Sequence, residues 1–389
     1  MKRRVTFSHL LLVIWMLVII LALVLNLNFA SKTLSPHYDQ MIEASNITKD
    51  AMAAIKQYKL DNGIELSESD KLSTGMIGPK VSAIYTTEGN INAKRTSCDP
   101  NWAAVIIKYF VQANLVPGDH VGFVFSSSFP TLNIACLAAA QVYGLKTCVM
   151  ASIGASCYGA TDTNFTFYDM IKLLNEREII NITIDYLSFG GAGDVGKNFH
   201  DEDEFLGGSD KLVSEVMAEI YSRVDKENTT FIYEEVFAKN INLRIKYFKD
   251  CVPNIKFLIN AGGSSVGIGV DSALFLQSGY VAPSVFKYKN DDSSFGHNED
   301  WGLLQYFLSK NIPVASLLNI RGLAAEHGIK YDPDTLPEIG AGNMYFVQQY
   351  NLTVTIVALV VSVLIAIFYY FYKSRVGEEI KNERNYILH

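Results

Sequence analysis

No C-x-x-C pair, no G-x-x-x-x-G-K-[ST] loop and no two histidines at ligand spacing occur in these 389 residues, and no G-x-S-x-G elbow frames Ser127 or Ser128. Each absence excludes a chemistry. Without paired cysteines or histidines a zinc site has no sequence scaffold, and no metal is expected. Without the phosphate loop, ATP-driven ligation is not this chain's task. Lysine and arginine form no patch outside the terminal tails and the formal net charge is −7, so nucleic acid is excluded as a partner. A mildly acidic surface also repels acidic polymers, so any anionic ligand has to be held locally. Cysteine is scarce and odd in number: Cys98, Cys136, Cys148, Cys157 and Cys251 define no disulfide framework. Cys136 and Cys148 fall in apolar runs, where free cysteine behaves as a small hydrophobe. The set reads as buried thiols, with one disulfide or a reactive Cys157 as the alternative.

What the sequence does have is apolar length at its two ends. Leu10 to Leu25 carries no charged or strongly polar side chain, and the apolar character continues to Phe29. That approaches the ~20 residues needed to cross a ~30 Å hydrocarbon core. Lys2, Arg3 and Arg4 precede it and keep the N-terminus cytoplasmic by the positive-inside rule. A cleavable signal peptide is the rival, but Asn28-Phe29-Ala30 makes a poor cleavage site. A second apolar run, Val354 to Tyr372, ends in Tyr369, Tyr370 and Tyr372 and is followed at once by Lys373 and Arg375. Aromatic belt and positive flank place this end in the cytoplasm too. The expected order is a cytoplasmic tail (1–9), a span (10–29), a juxtamembrane segment (30–95), an extracytoplasmic α/β domain (96–345), a span (353–372) and a basic cytoplasmic tail (373–389).

Between the spans, Met41, Ala44, Ile47, Ala51, Ala54, Ile55 and Tyr58 follow a helical period. Residues from about Glu65 to Pro100 read as irregular, broken by Gly75, Gly78, Pro79 and Gly89. From Trp102 onward, apolar runs of strand length (Val121–Phe125, Thr147–Met150, Phe257–Ile259, Val314–Leu318) alternate with helical segments. Fully apolar strands alternating with helices predict a Rossmann-like parallel sheet covered on both faces.

Ligands of such sheets gather at the carboxyl ends of the strands. Four strand ends carry small, hydroxyl- or glycine-rich sequences: Ser126-Ser127-Ser128, Ser152 to Ser156, Gly190 to Gly196, and Gly262-Gly263-Ser264. Glycine permits close backbone approach, while serine hydroxyls and helix-start N–H groups suit a carboxylate or phosphate. Ser126, Ser152, Ser156, Gly191, Gly193, Asp194, Gly262, Gly263 and Ser264 are therefore the expected ligand-binding set. Helix capping alone is the competing explanation. For catalysis, Ser127 or Ser128 stands at a strand–turn–helix junction and His297 offers a base, the parts that serine acylation requires. The acidic run from His200 to Glu204 reads as a solvated loop. Gly191-Ala192-Gly193-Asp194-Val195-Gly196 has the letters of a dinucleotide fingerprint, but an extracytoplasmic domain meets little NAD, and no cofactor is expected.

The segments Ala93-Lys94-Arg95-Thr96, Phe125 to Ala135, Ser152 to Ala160, Gly190 to Gly196 and Asn260 to Val266, together with the two end helices, resemble the bacterial poly-gamma-glutamate system proteins. The resemblance covers nearly the whole chain. It implies a role in making or exporting that polymer, beside the amide ligase and the small membrane subunit as partners, with polymer and membrane lipid as the other contacts. It carries over no catalytic residues. A non-enzymatic accessory protein and an extracytoplasmic serine-dependent hydrolase or γ-glutamyl transferase are the two expectations.

Overall fold

The computed structural model describes residues 2–28, 30–196, 210–269, 278–285 and 301–387. The chain divides into two compact units, one made of the two ends (1–35 and 346–389) and one of residues 36–345.

In the first unit, helix α1 (Lys2–Asn28) leads into strand β1 (Ser31–Leu34), and strand β10 (Phe346–Gln349) leads into helix α12 (Leu352–Ile387). β1 and β10 pair antiparallel, Ser31 opposite Gln349 and Leu34 opposite Phe346. The two helices touch, and Thr355 Oγ1 donates to Asn26 Oδ1 at 3.3 Å where they leave the strands. His9–Asn28 and Leu352–Glu378 are long and apolar enough to cross a membrane, and neither stretch is buried.

The second unit is an α/β domain. Its seven-stranded sheet runs in the order β6 (Thr230–Ile232), β5 (Tyr186–Ser188), β4 (Lys146–Ser152), β3 (His120–Phe125), β7 (Phe257–Ala261), β9 (Val314–Leu317), β8 (Gly279–Val281). All neighbours are parallel except β8, which pairs antiparallel with β9. The order grows outward from β3 in one direction through β4 and in the other through β7. Ligand crevices of open parallel sheets form at such a reversal.

Alternation along the strands sends side chains to two cores. Val124, Cys148, Met150, Leu258 and Val314 pack against Ile241, Ile245 and Phe248 of α8 (Phe237–Cys251) and Leu303, Leu304 and Phe307 of α10 (Leu303–Ser309). On the other face, Phe257 meets Phe110 of α4 (Trp102–Gln112), and Phe125 meets Phe167 of α6 (Phe167–Glu176). Local sequence sets the helix ends. Pro130 opens α5 (Pro130–Tyr143), and Gly144 closes it in the left-handed region at φ 72°. α6 starts on a capping box, Thr166 with Asp169.

The segment read as irregular holds more order than its breakers implied. β2 (Ser82–Tyr85) runs beside the loop after β4, with Ala155 N donating to Ile84 O and Cys157 N to Thr87 O. α3 (Ile91–Ser97) follows, capped by Asn90, whose Oδ1 accepts from Asn92 N and Ala93 N. Helix α2 (Tyr38–Asp61) belongs to the same unit and packs its buried face on α4 and α5. The compact α/β unit therefore begins at residue 36 rather than 96.

Candidate functional site

The carboxyl ends of β3, β4 and β7 meet where the strand order reverses, and Ser126, Ser128 and Ser156 are joined there by hydrogen bonds. Ser126 N donates to Ala261 O at 2.9 Å, which seats the end of β3 against that of β7. Ser126 Oγ donates to Ser128 Oγ at 2.6 Å, Ser128 N donates to Ser126 Oγ, and Ser156 N donates to Ser128 Oγ at 3.0 Å. Asn133 Nδ2 reaches back from α5 to Ser126 O. Gly262 lies directly over Ser126: its φ is 98°, and a Cβ there would come 2.8 Å from Ser126 Cβ. Only glycine fits both conditions.

The residue that organises this cluster is Lys94, from the middle of α3. It is 2% exposed. Its Nζ donates to Ser128 O, lies 2.7 Å from Ser156 Oγ and sits 4.2 Å over the Phe129 ring. Gly89 makes room for it, since a Cβ at 89 would stand 2.7 Å from Cys157 O and 3.1 Å from Lys94 Cε. Among the described residues these contacts are a carbonyl, a hydroxyl and a π face, with no carboxylate. Burial penalises the ammonium form and lowers the Lys94 pKa to about 7, against a weaker opposing effect of the Cys157 and Cys98 thiols. Ser156 is half-buried, whereas Lys94 is enclosed. α5 begins two residues beyond Ser128, and its first-turn N–H groups have no partner inside the helix.

Other predicted residues lie elsewhere or are otherwise engaged. Ser127 is fully buried, and its hydroxyl donates to Ser152 O. Ser264 precedes the short helix α9 (Ser265–Ile268) without a side-chain capping bond. The Gly190–Gly196 loop closes on itself through Gly196 N to Gly190 O at 2.7 Å and Asp194 N to Gly191 O at 3.1 Å. With Gly191, Gly193 and Asp194 all at positive φ, the loop turns the Asp194 carboxylate inward. There Arg244 of α8 pairs with Asp194 Oδ2, and Arg244 Nε donates to Asn240 Oδ1 at 2.8 Å. Both charges are 1% exposed. Burial pushes the Asp194 pKa up and Arg244 opposes it. Asp194 is thus half of an interior ion pair. His297, like the His200–Glu204 run, lies outside the described residues. His120 bonds Pro253 O at the amino end of β3, and His327 bonds the Tyr109 hydroxyl at 2.8 Å, with burial lowering its pKa to about 4.

Two features were not visible in the spacing of the sequence. Lys94 lay in a segment noted for its resemblance, but nothing in its neighbours marked it as buried. The fold also brings Cys148, Asp185 and Cys251 together, their ligand atoms within 4.8 Å of one another. Asp185 Oδ2 accepts from Val149 N at 2.8 Å, and the Cys251 contact and burial push the Cys148 thiol upward. Three donors are one short of a closed tetrahedral zinc site. A cleft of about 390 Å³, lined by Ile245, Phe248, Ile255, Tyr306, Phe307 and Ile312, sits at the opposite, amino-terminal edge of the sheet.

Comparison of the chain with models of known families, with curated proteins and with solved structures returned no match.

Proposed function

We propose that this chain is a membrane-anchored component of a poly-γ-glutamate synthesis and export system, whose Rossmann-like domain holds the polymer at the carboxyl edge of its sheet. The observation that carries this reading is Lys94. A buried cation with no carboxylate beside it is costly unless an anion completes the site or the amine gives up its proton. With the serine hydroxyls and the start of α5, it forms a donor-rich edge suited to the free α-carboxylates of the polymer. The sequence resemblance supplies the polymer and the partners, the amide ligase and the small membrane subunit. Deleting the gene in a polymer-producing host and weighing surface polymer tests the role. Surface polymer should fall severalfold and return with the wild-type gene but not with Lys94→Met. Unchanged polymer after deletion would sink the reading.

A second reading, an extracytoplasmic serine-dependent hydrolase or γ-glutamyl transferase, is favoured by the contact between Ser156 Oγ and Lys94 Nζ.

In either case both tails face the cytoplasm and the α/β domain lies outside. Positive residues flank the outer ends of both apolar helices, and the β1–β10 pair joins their inner ends. In a cysteine-free background, a single cysteine at Asn62 should react with an impermeant thiol reagent on intact cells, and one at Asn385 should react only after lysis. Labelling of both on intact cells, or the reverse pattern, contradicts the topology.

A further inference from the structure

We propose that Ser156 is the nucleophile of an acyl-transfer site and Lys94 its general base, acting on the γ-glutamyl amide linkage. The substrate class rests on the polymer reading above, whereas the pair rests on its own geometry.

Three observations converge on it. Ser156 Oγ lies 2.7 Å from Lys94 Nζ, within direct proton-transfer reach. Lys94 is fixed from two other sides, by Ser128 O and by the Phe129 ring, so its nitrogen cannot swing away from the hydroxyl. Ser156 is itself anchored through its backbone, N–H to Ser128 Oγ, and Ser128 is held by Ser126. Such a chain of oriented groups is the arrangement that lets a serine dispense with histidine: a lysine in a desolvated pocket serves as base in its neutral form. The contrast with Ser127 is instructive, since that hydroxyl is buried and already donates to Ser152 O.

The step balances without a cofactor. Lys94 Nζ takes the Ser156 proton as Oγ bonds the linkage carbonyl carbon. Collapse of the tetrahedral intermediate breaks the C–N bond, and Lys94 returns the proton to the departing amine. Water, or the amine of a second chain, then attacks the Ser156 ester and gives its proton to Lys94. The new carboxylic acid or amide leaves, and the proton returns to Ser156 Oγ. A carboxylate bound beside Lys94 would keep the ammonium charged, so excess polymer ends should slow the reaction.

The test uses the full chain in detergent and a fluorophosphonate probe, with peptide mass spectrometry to place the adduct. The expected result is a single adduct on Ser156, forming faster as pH rises through about 7, slowed by glutamate oligomers, absent in Ser156→Ala and about 100-fold slower in Lys94→Met. If Lys94→Met fails to fold, the pH profile of the wild type decides instead. No adduct, an adduct on another serine, or a rate flat from pH 6 to 8 would overturn the pair. Binding of oligomers without an adduct would leave the polymer reading standing and remove the dyad. An adduct indifferent to oligomers would keep the dyad and remove the substrate class.

Discussion

Replacing Arg244 with methionine should cost the α/β unit about 3–5 kcal/mol, because it leaves the Asp194 carboxylate buried without its partner. The two side chains are almost completely enclosed, at 2% and 1% exposure. Asp194 already has a raised pKa through burial, held back by Arg244. Without the guanidinium the folded-state pKa climbs further above its unfolded value, and the sign follows. Between the two values the unfolded chain releases the Asp194 proton and the folded chain keeps it, so stability falls as pH rises, by about 1.4 kcal/mol per pH unit. The deficit of Arg244→Met should therefore be smallest near pH 4 and grow toward pH 7. Replacing both partners, Arg244→Met with Asp194→Asn, should recover much of the loss, since asparagine carries no buried charge and tolerates the left-handed backbone at 194. Urea unfolding at several pH values reads all three. A methionine variant within about 0.5 kcal/mol of wild type at pH 7 would show that the pair contributes nothing.

The parallel core of the sheet was readable in the sequence for a physical reason. β3, β4, β7 and β9 are covered on both faces, so they appear as mostly apolar runs, with polar residues such as Asn260 and Ser316 few among them. β6, three residues long at one edge, has no such run, and β8 pairs antiparallel with β9 after residues outside the described set. α3 escaped because it is seven residues of mostly polar sequence whose lysine points inward, the reverse of what helical amphipathicity signals. The convergence of Ser126, Ser128 and Ser156 followed from topology alone, since successive parallel strand ends share one edge. Lys94 could not follow from it: it arrives from a segment before the first strand of the sheet. The role of the glycine loop was not legible for a related reason. Its G-x-G-x-x-G letters supply positive φ, but the fold uses them to bury Asp194 against Arg244, a partner far away in sequence.

The central claim is that the Lys94 edge receives the carboxylates of poly-γ-glutamate, and thermal unfolding of the full chain with glutamate oligomers tests it most directly. Ligand that binds only the folded state stabilises by RT ln(1 + [L]/Kd), about 2.7 kcal/mol at a hundredfold excess over Kd. The protection should be strongest below pH 7, where Lys94 carries its charge, and fade above it, where the polymer stays ionised and the amine does not. Lys94→Met should melt no lower than wild type without ligand, since the change removes a buried amine, and should gain nothing from oligomers at any pH. Protection that survives Lys94→Met, or a wild type whose melting point ignores the oligomers from pH 5 to 8, would contradict the account.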